Sequence, residues 1–300
     1  MNTILIAGGT GFIGNTLEKY FTKKGYTVKI LSRNPKQENE VYWNAKTIES
    51  VWLKHLENLD VLINLTGKSI ICRFTDANKK AIIESRVGTT KLLGKAIDAC
   101  KNPPKIWMNS STTSIYKQSF TTERDEYSNV FGNDFESEVA SIWEEAFYAT
   151  KNPKTRKIVL RTSIVFGIAE GAFVTLKKLT KFGLGGRQGN GKQKVSWIHE
   201  TDFARAVDFL IQKKDAYGAY NLCVPNPISN NVLMRNLRKL LQVPIGIPSP
   251  KIVLKIGSFF MQTEPELILS SRNVVPKKLI ENGFNFQFST IDTAIKELIE

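Results

Sequence analysis

The chain has 300 residues, 42% hydrophobic and 23% charged, the balance of a soluble globular protein. Lys and Arg total 42 against 28 Asp and Glu, a formal charge of +14 that points to an acidic partner or to a lysine-rich solvated surface. Three scattered cysteines and two histidines exclude a disulfide framework, a CxxC zinc site and a His-rich metal centre. No metal is expected. The apolar stretch Ile252–Met261 is short and contains Lys255, and the first residues lack the basic region of a signal peptide. A cytoplasmic protein without a membrane partner is expected.

The N-terminal half alternates strand and helix. Thr3–Ala7 (TILIA) is an apolar run of the buried parallel kind. A glycine-rich turn leads into a helix through Leu17, Tyr20 and Phe21, which Gly25 stops. Thr27–Leu31 is the second strand, and Asp60–Leu65 another, ending at Thr66-Gly67. Ala77–Cys100 reads as a long helix, Lys105–Ser110 as a strand, Ser137–Ala149 as a helix and Lys157–Phe166 as a strand. This alternation predicts an α/β fold, a Rossmann-type doubly wound parallel sheet.

After Gly167 the rhythm changes. Phe182–Gly191 is glycine-dense and reads as loop. Trp197–His199 leads into a helix from Thr201 to about Gln212, with Thr201 or Asp202 as N-cap. Ala219–Val224 is a returning strand, and Pro225 and Pro227 mark a boundary. Pro244–Pro250 is a rigid linker-like run. Two further helices complete the chain, the last over Ile291–Ile299. Residues 1–226 are expected to form the Rossmann domain, with 167–195 an excursion into the substrate region. Residues 227–300 are expected to form a smaller C-terminal α/β substrate domain.

Gly8, Gly11 and Gly14 stand three apart, directly after the first strand and at the opening of the first helix. The first permits a sharp turn, the second lets backbone approach a pyrophosphate, and the third packs helix on strand. The helix N-terminus then offers free N–H groups to the phosphates. A dinucleotide site is predicted here, with Thr10, Phe12 and Ile13 as its other members. At the end of the second strand an NAD site usually has an acid for the ribose 2′-hydroxyl. Here Leu31-Ser32-Arg33-Asn34 has none, and Arg33 and Ser32 suit a 2′-phosphate. NADP(H) is predicted over NAD(H).

The GxxGxxG spacing resembles the short-chain dehydrogenase/reductase superfamily in its extended form. Four segments follow in the same order. Asn64-Leu65-Thr66-Gly67 resembles the turn lining the adenosine side. Arg86-Val87-Gly88-Thr89-Thr90 resembles a mid-helix element that usually begins with Asn. Leu160-Arg161-Thr162 with Val165-Phe166-Gly167 resembles the segment flanking the nicotinamide, and Ser196–His199 with Asp202 the one preceding a late helix. The nearer resemblance is to a branch of NAD-dependent epimerase/dehydratase-like proteins called epimerase family proteins, which carry a small C-terminal domain of unknown function. GGTGFIG, ESRVGTTKLL, GNGKQKVSWIH and Pro276–Phe288 carry it along nearly the whole chain. It implies cofactor contacts from Leu65, Thr66, Gly67, Arg86, Ser110 and Arg161.

The superfamily's chemistry normally uses a Ser or Thr with a Tyr-x-x-x-Lys pair on one helical face. Tyr20/Lys24 and Tyr42/Lys46 have that spacing but lie away from the nicotinamide end. Anchored on Trp143-Glu144-Glu145, the Tyr and Lys positions fall near Glu136 and Ala140, so the usual proton relay is lost. The hydroxyl element survives as Ser110–Tyr116. Thr112 is its best match to the catalytic hydroxyl, Ser111 the second, and Tyr116 the tyrosine of the motif.

Lys68, Arg73, Arg187 and Lys192 are further candidates to bind an anion, and Glu123 is a loop acid. His199 reads as a buried, hydrogen-bonded residue, and Trp43, Trp52, Trp107 and Trp143 read as core. The lysine pairs are dispersed, with no zinc finger, RNP motif or continuous basic run, so no specific nucleic-acid partner is expected. The reading is an NADP(H)-binding oxidoreductase or epimerase-like enzyme acting on a small carbonyl or sugar-nucleotide-like substrate, anionic if the cleft cations contact it. It would be a monomer or homodimer. The alternative is an NADP(H)-sensing protein without turnover.

Overall fold

The computed structural model describes residues 3–260 and 262–300; Met261, the end of the apolar stretch noted above, lies outside the described residues. The elements in order are β1 (Thr3–Ala7), α1 (Phe12–Lys23), β2 (Thr27–Ser32), β3 (Glu40–Tyr42), α2 (Ser50–Leu53), β4 (Val61–Asn64), α3 (Asp76–Ala99), β5 (Ile106–Thr112), α4 (Phe135–Ala149), β6 (Arg156–Thr162) and β7 (Ile164–Phe166). There follow α5 (Ala172–Leu179), β8 (Lys194–Val195), β9 (Trp197–His199), α6 (Glu200–Gln212), β10 (Gly218–Leu222), β11 (Ile228–Ser229), α7 (Asn230–Leu240), α8 (Lys251–Phe260), α9 (Glu266–Leu269), α10 (Lys277–Glu281) and α11 (Ile291–Ile299).

Seven strands form one parallel sheet in the order β10-β6-β5-β4-β1-β2-β3. The central strands are apolar on both faces because helices cover both. On one face Leu17 and Phe21 of α1 pack with Phe203, Val207 and Leu210 of α6. On the other, Leu93 and Ile97 of α3 and Phe147 of α4 pack with Trp43, Trp52 and Trp107. The strand order reverses between β1 and β4, so the loops after these strands diverge and open a crevice at their C-terminal ends.

A third core joins Phe166, Phe173 and Trp197 to Met234 and Leu237 of α7 and to Ile291, Ile295 and Leu298 of α11. The buried residues of α11 recur at i, i+3, i+4 and i+7, one helical face. Beyond Pro227 the chain is mainly helical, with β11 pairing antiparallel to β8.

The structure departs from the sequence reading at several elements. The strand expected over Lys157–Phe166 is two strands. Ser163 donates both its N–H and its Oγ–H to the Leu222 carbonyl, ending the β6 ladder, and β7 pairs with β9 instead. The N-cap of α6 is His199, whose Nδ1 accepts from the Thr201 N–H at 3.1 Å. Asp202 does not cap, because its buried carboxylate accepts from the backbone N–H groups of Gln287 and Phe288. Thr180–Leu184 forms a wide helical turn that takes up the start of the expected loop. The part after Pro250 holds four helices, α8 to α11, rather than two, and β3, α2 and α7 were not foreseen.

Candidate functional site

Two neighbouring features sit at the C-terminal ends of the strands. The first is the glycine turn. Gly8 has φ +74°, and a Cβ there would lie 3.0 Å from Thr66 Cα in the loop after β4. A Cβ on Gly14 would lie 2.1 Å from the Gly9 carbonyl oxygen, so only glycine lets α1 start this close to the turn. Gly11 is the N-cap of α1 with open space around it, no side chain caps the helix, and no acid lies in its first turn. The N–H groups that begin α1 are therefore left for an anion. Phe12 and Ile13 pack their side chains on the core, and Thr10 is exposed.

At the end of β2, Ser32 is buried and its Oγ accepts from the Asn34 N–H. Arg33 is exposed, with no hydrogen bond or ion pair among the described residues. Its guanidinium is free to pair with a phosphate.

The second feature is a cavity of about 180 Å³ over the ends of β4 and β5. It brings together Leu65, Thr66, Gly67, Arg86, Ser110, Ser111 and Thr112, with Glu136 and Ala140 among its other walls. The two positions where the sequence lacks the Tyr and Lys thus line the same cavity as the hydroxyls.

A buried polar network lies behind its Thr66 and Trp143 walls. Asn64 Nδ2 donates to Asn109 Oδ1 at 2.7 Å and to Thr90 Oγ1 at 3.0 Å. Trp143 Nε1 also donates to Thr90 Oγ1, and Thr66 Oγ1 pairs with Thr89 Oγ1 at 2.6 Å. Thr112 Oγ1 accepts from the Ser114 N–H at 3.1 Å, which leaves its own proton for a ligand. Ser111 Oγ instead donates to Glu144 Oε1 at 2.6 Å.

Arg86 Nη1 donates to the Lys68 carbonyl at 2.9 Å and to the Ile82 carbonyl at 3.2 Å, and the guanidinium lies 5.2 Å from the Trp143 ring centroid. It has no carboxylate partner among the described residues. Burial lowers its pKa to about 10. A Cβ on Gly67 would lie 3.0 Å from Arg86 Cζ, so a larger residue there would press on the guanidinium.

Arg161 and Tyr116 are not brought to the cavity. Arg161 forms a bidentate pair with Glu144, Nε to Oε1 at 2.9 Å and Nη2 to Oε2 at 2.8 Å. Its Nη1 donates to the Tyr116 hydroxyl at 2.7 Å, which donates on to Asn221 Oδ1 at 3.0 Å. Burial opposes the Arg161 charge, but Glu144 overrides it and holds the guanidinium above its usual pKa. Burial pushes Tyr116 up to about 12, so the phenol stays protonated at neutral pH. Through Glu144 this network holds Ser111 in place.

The other candidates lie elsewhere. Lys68 is exposed, and Arg73 donates to the Thr263 carbonyl and pairs with Glu264. Glu123 lines a shallow groove with Asp125 and Glu281. Arg187 and Lys192 are exposed in the glycine-rich loop. His199 is fully buried and bonded through Nε2 to Glu297 at 2.7 Å. Tyr20 and Lys24 both bond Asp208 of α6, a structural tie behind the turn. The sequence reading missed Asn109, Thr89, Thr90, Glu136 and Glu144 as functional neighbours and took Trp143 as core alone. Their signals were indirect: Thr89 and Thr90 close the element that begins at Arg86, Glu136 stands at the missing tyrosine's position, and Asn109 precedes Ser110.

Comparison with known proteins agrees with this architecture. The pattern of the NAD dependent epimerase/dehydratase family matches residues 4–223, and a domain of unknown function matches residues 249–298. Epimerase family protein YfhF of Bacillus subtilis is 31% identical over 99% of this chain and 97% of its own. The human epimerase family protein SDR39U1 is 30% identical over 99% of both chains. A crystal structure of human SDR39U1 (isoform 2) with NADPH superposes with a TM-score of 0.88, at 29% identity over 99% of this chain and 98% of that one. A nucleoside-diphosphate sugar epimerase from Corynebacterium glutamicum gives 0.80 at 25% identity, over 98% of this chain and 57% of the other. With the glycine turn, the switch-point crevice and the hydroxyl-lined cavity in place, the chain belongs to the NAD-dependent epimerase/dehydratase family of extended short-chain dehydrogenase/reductase proteins.

Proposed function

We propose that the chain is an NADP(H)-dependent oxidoreductase or epimerase-like enzyme acting on a small carbonyl or sugar-nucleotide-like compound. The observation that carries this reading is the adjacency of the uncapped glycine turn to a cavity presenting the Thr112 hydroxyl. The pyrophosphate would rest on the N–H groups that open α1, with Gly8, Thr10, Gly11 and Gly14 shaping the turn. Arg33 and Ser32 would take the 2′-phosphate. Leu65, Thr66, Gly67, Ser110 and Arg86 would line the rest of the cofactor's path, Arg86 as a cation facing its phosphates. The NADPH of the human SDR39U1 structure supports the same cofactor here.

When bound, NADP(H) supplies or accepts the hydride. The chain's own part is positional and electrostatic. Thr112 donates a hydrogen bond to the substrate carbonyl oxygen as negative charge grows there, and the Ser114 N–H fixes the hydroxyl's direction. With no Tyr-Lys pair, the proton comes from water or from another side chain. Glu136 is the acid in the cavity lining, held by Arg272 at 3.4 Å. Residues 1–226 would carry the cofactor, with 167–195 reaching toward the substrate region, and 227–300 would cover the substrate. The enzyme would be cytoplasmic.

The test is NADPH oxidation, followed by absorbance, across a panel of carbonyl compounds. Turnover that Thr112→Ala lowers by roughly a hundredfold supports the reading. NADPH binding with no turnover across the panel overturns it in favour of the sensor.

A further inference from the structure

The outer face of α8 is apolar and turned to solvent. Ile252, Val253, Ile256, Phe259 and Phe260 recur at i, i+1, i+4, i+7 and i+8, a single helical stripe. They are 52% to 80% exposed, whereas such a stripe ordinarily faces a core. Ser258 is the one residue of this helix that is buried. A patch of this kind on a folded protein marks a surface that something covers.

The charge around it says what. Lys251 and Lys255 lie one turn apart beside the stripe, both exposed. Arg73, paired with Glu264, also lies 5.7 Å from the Phe259 ring centroid and adds no net charge there. Lys251 and Lys255 fall in an interval, between Asp215 and Glu264, in which the sequence has no acid. The chain as a whole carries +14. A second copy on the same face would bring these lysines against their own counterparts, like against like. An anionic bilayer surface accepts both parts, taking the apolar side chains into its headgroup boundary and the lysines against its phosphates.

We propose that α8 is an interfacial helix that docks the protein on an anionic lipid surface. No described helix is long and apolar enough to cross a membrane, and α8 has 10 residues. A helix lying in the plane of the interface needs only its stripe buried. This departs from the expectation of no membrane partner, which rested on the lack of a spanning segment and on the dispersal of the basic residues along the chain. It stands independently of the cofactor reading.

The test is co-sedimentation of the full chain with vesicles of phosphatidylglycerol in phosphatidylcholine, against vesicles of phosphatidylcholine alone. The wild type is expected to pellet with the anionic vesicles and to remain largely in solution with the neutral ones. Ile256→Glu with Phe260→Glu replaces exposed side chains and should leave the melting temperature unchanged. It should lower vesicle binding about tenfold or more. Lys251→Glu with Lys255→Glu should remove the preference for the anionic lipid. A wild type that stays in solution with anionic vesicles would overturn the proposal. So would equal pelleting of the Ile256→Glu/Phe260→Glu protein, which would reduce binding to bulk charge. A wild-type dimer by light scattering that this variant dissociates would instead assign the stripe to a second copy.

Discussion

Gly14 carries its role in the methyl group it lacks. Gly14→Ala would set a Cβ 2.1 Å from the Gly9 oxygen, against backbone that cannot rotate aside. The helix would have to move off the turn. We expect a loss of about 1–3 kcal/mol in stability, read by denaturant unfolding, together with weaker NADPH binding. An unchanged midpoint would show that the turn yields. Glu144 is a contrasting case, a residue whose charge matters because another charge is buried beside it. Glu144→Ala would strand Arg161 and free Ser111. Removing one member of a buried pair costs about 3–5 kcal/mol, and urea unfolding should show it. A loss near zero would mean that water reaches the Arg161 guanidinium. Tyr116 belongs to the same network. Chain spacing placed it in the hydroxyl motif, but a tight helical turn over Thr113–Ile115 swings the ring inward beneath Arg161, which spacing alone does not reveal.

At the scale of elements, legibility follows how local the cause is. β1, β2, β4, α1 and α11 were legible because apolar runs and helical stripes are written in consecutive residues. The break at Ser163 was not, because its partner is the Leu222 carbonyl 59 residues away. Nor was the His199 cap, since Asp202 has the better capping side chain and is drawn off by Gln287 and Phe288. Asp202 ties the strand-to-helix corner at α6 to the segment entering α11. Asp202→Ala would leave those two N–H groups without partners. We expect faster hydrogen exchange at residues 287 and 288 and a loss of about 2–4 kcal/mol. Exchange confined to its wild-type rate would show that other contacts hold the segment. Of the cavity, the loop after β4 and the hydroxyls at the end of β5 could be read as motifs. The walls from α3 and α4 could be read only as helices, because which face they present depends on packing.

At the scale of the molecule, the +14 charge divides into parts with different meaning. Arg33 and Arg86 stand at the proposed cofactor site without carboxylate partners among the described residues. Several other cations are spent internally, as Lys24 on Asp208, Lys105 on Asp60 and Arg272 on Asp134 and Glu136. Lys251 and Lys255 flank the apolar stripe of α8 within an interval, residues 216 to 263, that has no acid, and the remaining basic residues are dispersed along the chain. The proposed NADP(H) preference rests on the first part, since Arg33 directly follows β2 where an NAD site usually has an acid. The most direct measurement is the dissociation constant of NADPH and of NADH for the wild type and for Arg33→Ala. We expect the wild type to prefer NADPH by about tenfold or more, and Arg33→Ala to lose most of that preference while keeping its NADH affinity. Equal affinity of the wild type for both cofactors, or a preference that survives Arg33→Ala, would contradict it.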